Sequence, residues 1–416
     1  MVIEDGLLPP GLERLLDPYP LLNEFREAGR VRPATIAHGM RVWLVTGYAE
    51  AVAALTDPRL SASPVHAIDS GNPALASLRG REGRLVKEMT MSDPPDHTRL
   101  RRLVSGAFTP RRVAALRPDV EQIADGLIEE IAPAGEADLV AEFALPLSLQ
   151  VICRLLGVPY ADHERFRGWI TRILQWPTDD RAVRETGAAH VAIMDYLREL
   201  LAEKSRRPSD DLLSDLLAVR DQGDRLSHTE LVVMAKLLLM AGHETTAGLV
   251  ANGMALLLRA PDQLRLLRRD PGLVRPAIEE LLRLEGPTIL GTFRYTTEEI
   301  ELGEVTVPEG EIVCICLSAA NRDPRRFERP DVLDITRRDN AHLGFSHGIH
   351  YCMGAALARE EAEIGFVRLL TRLPGMRLAV DPERLEWRRR IRTLAALPVT
   401  FTPGPVRPAD ESGESG

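Results

Sequence analysis

One uninterrupted apolar stretch constrains this chain more than any other feature. Ser227-His228-Thr229-Glu230 is a capping box, and behind it an apolar pattern runs to Ala260. At a rise of 1.5 Å per residue this predicts a single helix of about 50 Å, long enough to cross the molecule. Its middle holds Ala241-Gly242-His243-Glu244-Thr245-Thr246. Glycine weakens a helix and consecutive threonines compete for its carbonyls, so a local distortion is expected there. An acid beside an alcohol inside VVMAKLLLMAGHETTAGLVANGMALLL is costly unless both are hydrogen-bonded or serve chemistry.

Around that helix the pattern is mainly α, with helices expected at 13–28, 98–107, 120–131, 188–204 and 276–284. Strands are fewer and short, at 40–46, 299–307, 311–317 and 396–401, with Pro308-Glu309-Gly310 as the turn between the second and third. Residues 61–95 are rich in Ser, Pro, Gly and Asp and read as a long loop of the kind that is more often functional than idle. The last residues, GPVRPADESGESG, read as a disordered tail at 404–416 after one domain at 1–403. No internal repeat is visible.

The 416 residues are 44% hydrophobic, enough to bury a large core. The N-terminus is acidic and broken by proline, and no apolar run reaches membrane-spanning length, so a cytoplasmic protein with no membrane partner is expected. A formal charge of -9 argues against a general nucleic-acid binder. Arg99, Arg101, Arg102, Arg111 and Arg112 nevertheless form a basic cluster, either a solvated face or a docking site for an acidic partner.

Four cysteines argue against a disulfide framework. Cys153, Cys314 and Cys316 sit in apolar patterns and read as packing, the last two alternating along one strand. Cys352 is different. It lies in Phe345-Ser346-His347-Gly348-Ile349-His350-Tyr351-Cys352-Met353-Gly354, immediately before a helical stretch at 355–372. Unpaired N–H groups at a helix start favour a thiolate, which suits a metal ligand or a nucleophile. His342, His347 and His350 bring zinc into consideration, but no CxxC or HxxxH knuckle accompanies them. CxxCH, the c-type haem attachment, is absent.

FxxGxHxCxG at 345–354 resembles the haem-thiolate signature of the cytochrome P450 family. AGHETT is similar to the oxygen-activating stretch of that family's long central helix, and Glu280-Leu281-Leu282-Arg283 to its ExxR motif, in the family's order. Asp93-Pro94-Pro95-Asp96-His97-Thr98-Arg99-Leu100-Arg101 resembles its haem-contacting helix, and Ala320-Asn321-Arg322-Asp323-Pro324 a stretch of its soluble bacterial members. The likeness covers nearly the whole chain. It implies a mainly α, single-domain cytochrome P450 fold, with a long central helix over haem and small β-sheets.

The resemblance also implies roles. Cys352 would ligate the iron of haem b (iron protoporphyrin IX), with Phe345 beside the sulfur and Ala241, Gly348 and Gly354 against the cofactor. His97, Arg101, Arg294 and His350 would meet its propionates, and the i, i+4 spacing puts His97 and Arg101 on one helix face. Glu244 and Thr245 would deliver protons for oxygen activation. Glu280, Arg283 and Arg337 would form a buried structural brace. The family usually has glycine where this chain has Ser346; serine reaches φ > 0 only at a cost, which puts the loop geometry in question.

The implied activity is insertion of one oxygen atom from O2 into a hydrophobic small molecule, by hydroxylation or epoxidation. With no GxGxxG-opened unit and no cysteine cluster for an iron–sulfur centre, electrons from NAD(P)H would arrive through a ferredoxin reductase and an acidic ferredoxin, docking near Arg99, Arg102, Arg111 and Arg112. The expected substrate pocket draws on Trp169, Ile173, Leu174, Trp176, Leu239, Met240, Thr288, Ile289, Leu290, Thr393 and Leu394, besides the 61–95 loop. Their apolar character points to a polyketide macrolactone, terpenoid or steroid, and EGPTILGTFRYTTEEIELG resembles macrolide-tailoring members of secondary metabolism. Two rivals stand beside this reading. A peroxide-using or O2-independent haem-thiolate enzyme has no need of the Glu244–Thr245 pair, and a non-enzymatic haem sensor needs no proton relay.

Overall fold

The computed structural model describes residues 17–36, 40–69, 88–174, 180–219, 224–388 and 391–404. The capping box forms as its residues dictate. Ser227 Oγ accepts from Glu230 N, the Glu230 carboxylate accepts from Ser227 N, and helix His228–Arg259 follows. This central helix packs against Leu145–Leu156, Asp180–Arg206, Val274–Glu285 and Ala355–Arg372. The distortion expected at 241–246 does not break it. The helix continues through, and the competition for carbonyls is confined to one side chain, Thr245 Oγ1 donating to Ala241 O at 2.6 Å.

Helices expected at 98–107, 120–131, 188–204 and 276–284 are found as Asp96–Ala107, Arg117–Ile131, Asp180–Arg206 and Val274–Glu285. The first one is described from Tyr19 to Ala28, with Pro18 at its cap; residues 13–16 lie outside the described residues. The 61–95 stretch is less loop-like than its composition predicts. Leu60–Ser61 pairs as a strand, Val65–Asp69 is a short helix and Met89–Met91 a single tight turn, while 70–87 fall outside the described residues, as do 405–416.

Five strands form the larger sheet in the order Val31–Ile36, Met40–Val45, Ile312–Ile315, Thr292–Thr296, Leu60–Ser61. The Met40–Val45 and Ile312–Ile315 pair is parallel, in the register Leu44↔Cys314 and Val45↔Ile315, and the other neighbours are antiparallel. Strand side chains alternate between faces. Leu44, Cys314 and Cys316 therefore join one apolar cluster, and Val45, Val313 and Ile315 another on the opposite face. Two expectations change here. The 299–307 strand is a hairpin, Ile300–Leu302 against Val305–Val307, turned at Gly303-Glu304. Pro308-Glu309-Gly310 consequently joins strands that do not pair, because Ile312–Ile315 belongs to the larger sheet. The strand expected at 396–401 is Pro398–Thr400, in a small sheet with Glu136–Asp138 and Arg377–Leu378.

The main core lies among the helices, and Cys153 is part of it. Among these helices the carboxylate of Glu280 is wholly buried and fully engaged. Arg283 grips it with two bonds of 2.8 Å, Arg337 Nε lies 3.1 and 3.2 Å from its two oxygens, and Asn340 Nδ2 and Asp334 N each donate at 3.1 Å. Arg283 also donates to the carbonyls of Asn321 and Pro330, so neither charge is left without partners. Buried ion pairs are tolerable in that condition only. Among the described residues no helix is long and apolar enough to cross a membrane.

Candidate active site

A cavity of about 340 Å³ opens between the central helix, the cysteine loop and the helix Asp96–Ala107. The central helix offers it Leu237, Leu238, Ala241, Gly242, Thr245, Thr246 and Leu249. Most of these positions recur at three- or four-residue steps, one stripe of an α-helix. From the cysteine loop come Gly344, Phe345, Ser346, His350, Tyr351, Cys352, Met353 and Gly354, and from the opposite side His97, Arg101 and Phe108. His97 and Cys352, 255 positions apart in the sequence, thus share one wall system.

The polar groups around it are arranged for negative charge. The rings of His97 and His350 meet at a tilt of 48°, with centroids 4.2 Å apart. Burial, together with Arg294 and Arg101, lowers the pKa of both, that of His350 to about 4. Arg294 sits behind them, donating to Thr292 Oγ1 and Phe293 O, and Arg101 Nη2 donates to Tyr351 O at 2.7 Å. His97 Nε2 and Arg294 Nη2 are buried with no hydrogen-bond partner in the protein. Buried donors of this kind require an acceptor.

Cys352 N donates to Phe345 O at 2.9 Å, which closes the loop, and Arg359 lies over the Phe345 ring at 4.5 Å. The sulfur is open to the cavity but set deep in the protein. Burial consequently pushes the thiol up in spite of the N–H groups of Gly354 and Ala355 and the charges of Arg101 and Arg359. The helix start alone thus does not secure the thiolate that the position of Cys352 leads one to expect. Gly348 adopts φ 70 and its Cα faces Leu55 O closely enough that a Cβ would stand 2.9 Å from it, so it shapes the loop from behind the wall.

Thr245 lines the cavity, and Glu244, its neighbour, does not. Glu244 is 4% exposed and pairs with Arg388 at 3.4 Å, on the C-terminal stretch that returns over the helix. Among the described residues expected at the substrate pocket, Thr288 lines this cavity, as do Met89 and Thr90 of the 61–95 stretch, and the other named positions do not. Leu239, Ile173 and Leu394 are core, with Trp169 and Met240 packed against them, and Ile289 and Leu290 belong to the cluster under the sheet. The helix stripe explains the displacement, since Leu238 and Ala241 face inward and Leu239 and Met240 are rotated off that face. Thr393 presses its methyl on the central helix at Gly248. Leu174 is the last residue of the helix His163–Leu174, and Trp176 lies outside the described residues.

Sequence reasoning missed Glu361. It lies on the helix Ala355–Arg372, lines the cavity, has an unpartnered buried Oε2, and burial raises its pKa well above the carboxylate range. Its signal is visible only with the register in hand, because Leu357, Ala358 and Glu361 step along one face by three and four. The arginine cluster also divides. Arg99 pairs with Asp224 and Glu230, and Arg112 with Asp210 and Asp215, so these two are not held ready for a partner.

Comparison with known proteins gives the class. The family model described as Cytochrome P450 matches residues 272–385. Cytochrome P450 107B1 of Saccharopolyspora erythraea is 48% identical, over 87% of this chain and 90% of its own length. The 6-deoxyerythronolide B hydroxylase of the same organism is 41% identical, over 92% and 96%. A crystal structure of myxobacterial CYP267B1 in complex with myristic acid superposes with a TM-score of 0.87 at 42% identity, covering 93% of this chain and 96% of that one. The chain belongs to the cytochrome P450 family of haem-thiolate monooxygenases. Membership implies haem and O2, and the site fits haem. A cysteine sulfur faces the cavity, and the two unpartnered nitrogens of His97 and Arg294 are donors that carboxylates such as propionates would satisfy.

Proposed function

We propose that the chain hydroxylates or epoxidises a hydrophobic small molecule, and that polyketide macrolactones are the class to test first. The observation that carries this is the convergence of Cys352, His97, Arg101, His350 and Thr245 on one cavity whose remaining wall is mostly apolar. A relative named for hydroxylating 6-deoxyerythronolide B and another holding myristic acid support a hydrophobic substrate.

In this reading Cys352 is the iron ligand, and Phe345, Ala241 and Gly354 pack on the cofactor. When bound, haem supplies an iron whose thiolate ligand donates electron density that favours O–O bond cleavage. His97, Arg101, Arg294 and His350 hold the propionates. Leu237, Leu238 and Leu249 exclude water. Thr245 offers its hydroxyl to the cavity by turning from Ala241 O, while Glu244 carries protons towards it, its carboxylate held by the half-buried Arg388 on the way to solvent. Glu280, Arg283 and Arg337 keep the floor rigid, and residues 1–403 act as one catalytic domain.

Electrons originate in NAD(P)H and arrive from a ferredoxin reductase through a ferredoxin, in the cytoplasm. The docking face is the cysteine side, where Ile349 and Tyr351 are 50% and 40% exposed and Arg102 and Arg111 reach the surface. Purified holoenzyme titrated with a panel of macrolactones, terpenoids and steroids tests the substrate class. Macrolactones that shift the haem spin state and yield an oxygenated product with ferredoxin, reductase and NAD(P)H support it. A spin shift and product confined to the terpenoids or steroids would remove it.

A further inference from the structure

Ile152 reaches the cavity wall through a notch in the central helix. It lies on the helix Leu145–Leu156, which packs against the central helix, and it is the one described residue of that helix on the cavity wall. Gly242 makes the notch. A Cβ built there would stand 2.8 Å from Ile152 Cδ1, 3.0 Å from Cγ1 and 3.5 Å from Cβ, so the isoleucine occupies the room that the missing side chain leaves. Glycine weakens a helix interior relative to alanine, and here its place admits this contact. One turn earlier on the helix of Ile152, Ser148 Oγ lies 3.1 Å from His243 Nδ1. The two helices are thereby pinned together at consecutive residues, Gly242 and His243. Ile152 is 3% exposed, and a β-branched side chain is stiff, so it forms a fixed piece of wall. Thr245 stands one helical turn beyond Gly242 on the stripe that lines the cavity.

We propose that Ile152 is a positioning residue that closes the cavity beside Thr245 against water and so keeps reduction of O2 tied to oxidation of the substrate. The inference rests on the reading of this cavity as the place where O2 and substrate meet. Its wall also carries Thr246 and Glu361. Water enters a space of its own size when polar partners face it. Without the carbons of Ile152 beyond Cβ such a space opens next to Gly242, in a cavity whose hydroxyls and carboxyl can bind the water. Water admitted there offers protons that bypass Thr245. The two electrons of NAD(P)H and two protons then leave with both oxygen atoms as hydrogen peroxide, instead of one oxygen entering the substrate and the other leaving as water.

The test uses holoenzyme of the parent, Ile152→Val and Ile152→Ala. Crystal structures show first whether water fills the vacated space, a readout that needs no substrate. Product and hydrogen peroxide per NAD(P)H follow, with the macrolactone that gives the largest spin shift. We expect ordered water beside Gly242 in Ile152→Ala and a smaller effect in Ile152→Val. Product per NAD(P)H should fall about threefold in Ile152→Ala, with peroxide making up the difference and NAD(P)H consumption within about twofold of the parent. Stability tests the notch itself, since Gly242→Ala should lower the denaturant midpoint in the parent and leave it unchanged in the Ile152→Ala background. If the parent oxidises no macrolactone, the substrate class fails, and the water density still decides the role of Ile152. A dry or collapsed space in Ile152→Ala, or product per NAD(P)H equal to that of the parent, would overturn the proposal whatever the change in stability, and leave Ile152 a core residue only.

Discussion

Thr245 and His243 stand two positions apart on the central helix and meet different surroundings. Thr245 lines the cavity, so Thr245→Ala should leave NAD(P)H consumption within about twofold and lower product per NAD(P)H severalfold; parallel assays of both quantities check this, and full coupling would remove Thr245 from the relay. His243 is buried with Nδ1 3.1 Å from Ser148 Oγ, and burial, aided by Arg388 and Arg167, lowers its pKa to about 4. In the unfolded chain a histidine titrates near 6.5. Above that pH both states are neutral and the native contacts count in full. As pH falls from about 6.5 towards 4 the unfolded chain binds a proton that the folded one refuses, and stability is lost, by up to about 3 kcal/mol. Urea midpoints at pH 7 and pH 5 should therefore fall further for the parent holoenzyme than for His243→Gln. Equal losses would contradict the assignment. The motif AGHETT was legible as chemistry at this scale. What it could not show was which neighbour each side chain meets, and that is why Leu239 and Met240 were placed at the cavity when Leu237 and Leu238 occupy it.

At the scale of elements, the central helix was readable because its start is written in four residues and its apolar pattern is continuous. Short strands carry less local information. Val31–Ile36 contains Arg32 and Pro33, and Thr292–Thr296 alternates weakly, so neither announces itself; both exist because the strand beside each supplies its hydrogen bonds. The hairpin at 300–307 likewise depends on a turn that apolar alternation conceals. Contact between the C-terminal stretch and the helix was equally hidden. A Cβ on Gly248 would stand 2.4 Å from Thr393 Cγ2 and 3.0 Å from Pro287 Cβ. Overpacking of this kind costs about 1–3 kcal/mol. Gly248→Ala should lower the denaturant midpoint accordingly, and the double variant with Thr393→Ser should recover most of the loss; a neutral Gly248→Ala would show that this stretch does not press on the helix.

Across the whole molecule, distant charges hold the layers in place. Glu280 and Arg337 are 57 residues apart, and Tyr19 donates to Glu285 at 2.9 Å while Arg392 grips the same carboxylate from the C-terminal end. Family likeness named the first set. The second, which ties the N-terminal helix to the C-terminal stretch and to Asn252 of the central helix, had no local signature. Breaking a buried pair by removing one partner costs about 3–5 kcal/mol. Arg283→Ala should lose that much stability and retain less haem on purification, measured by chemical denaturation and the ratio of Soret to protein absorbance; parent-like values in both would show that the brace is dispensable. The account as a whole turns on one sulfur. The most direct measurement is the carbon monoxide difference spectrum of the reduced protein beside that of Cys352→Ser. The account predicts a strongly red-shifted Soret band in the parent and its loss in the variant. Absence of bound haem in the parent, or the same histidine-type band in both proteins, would contradict it.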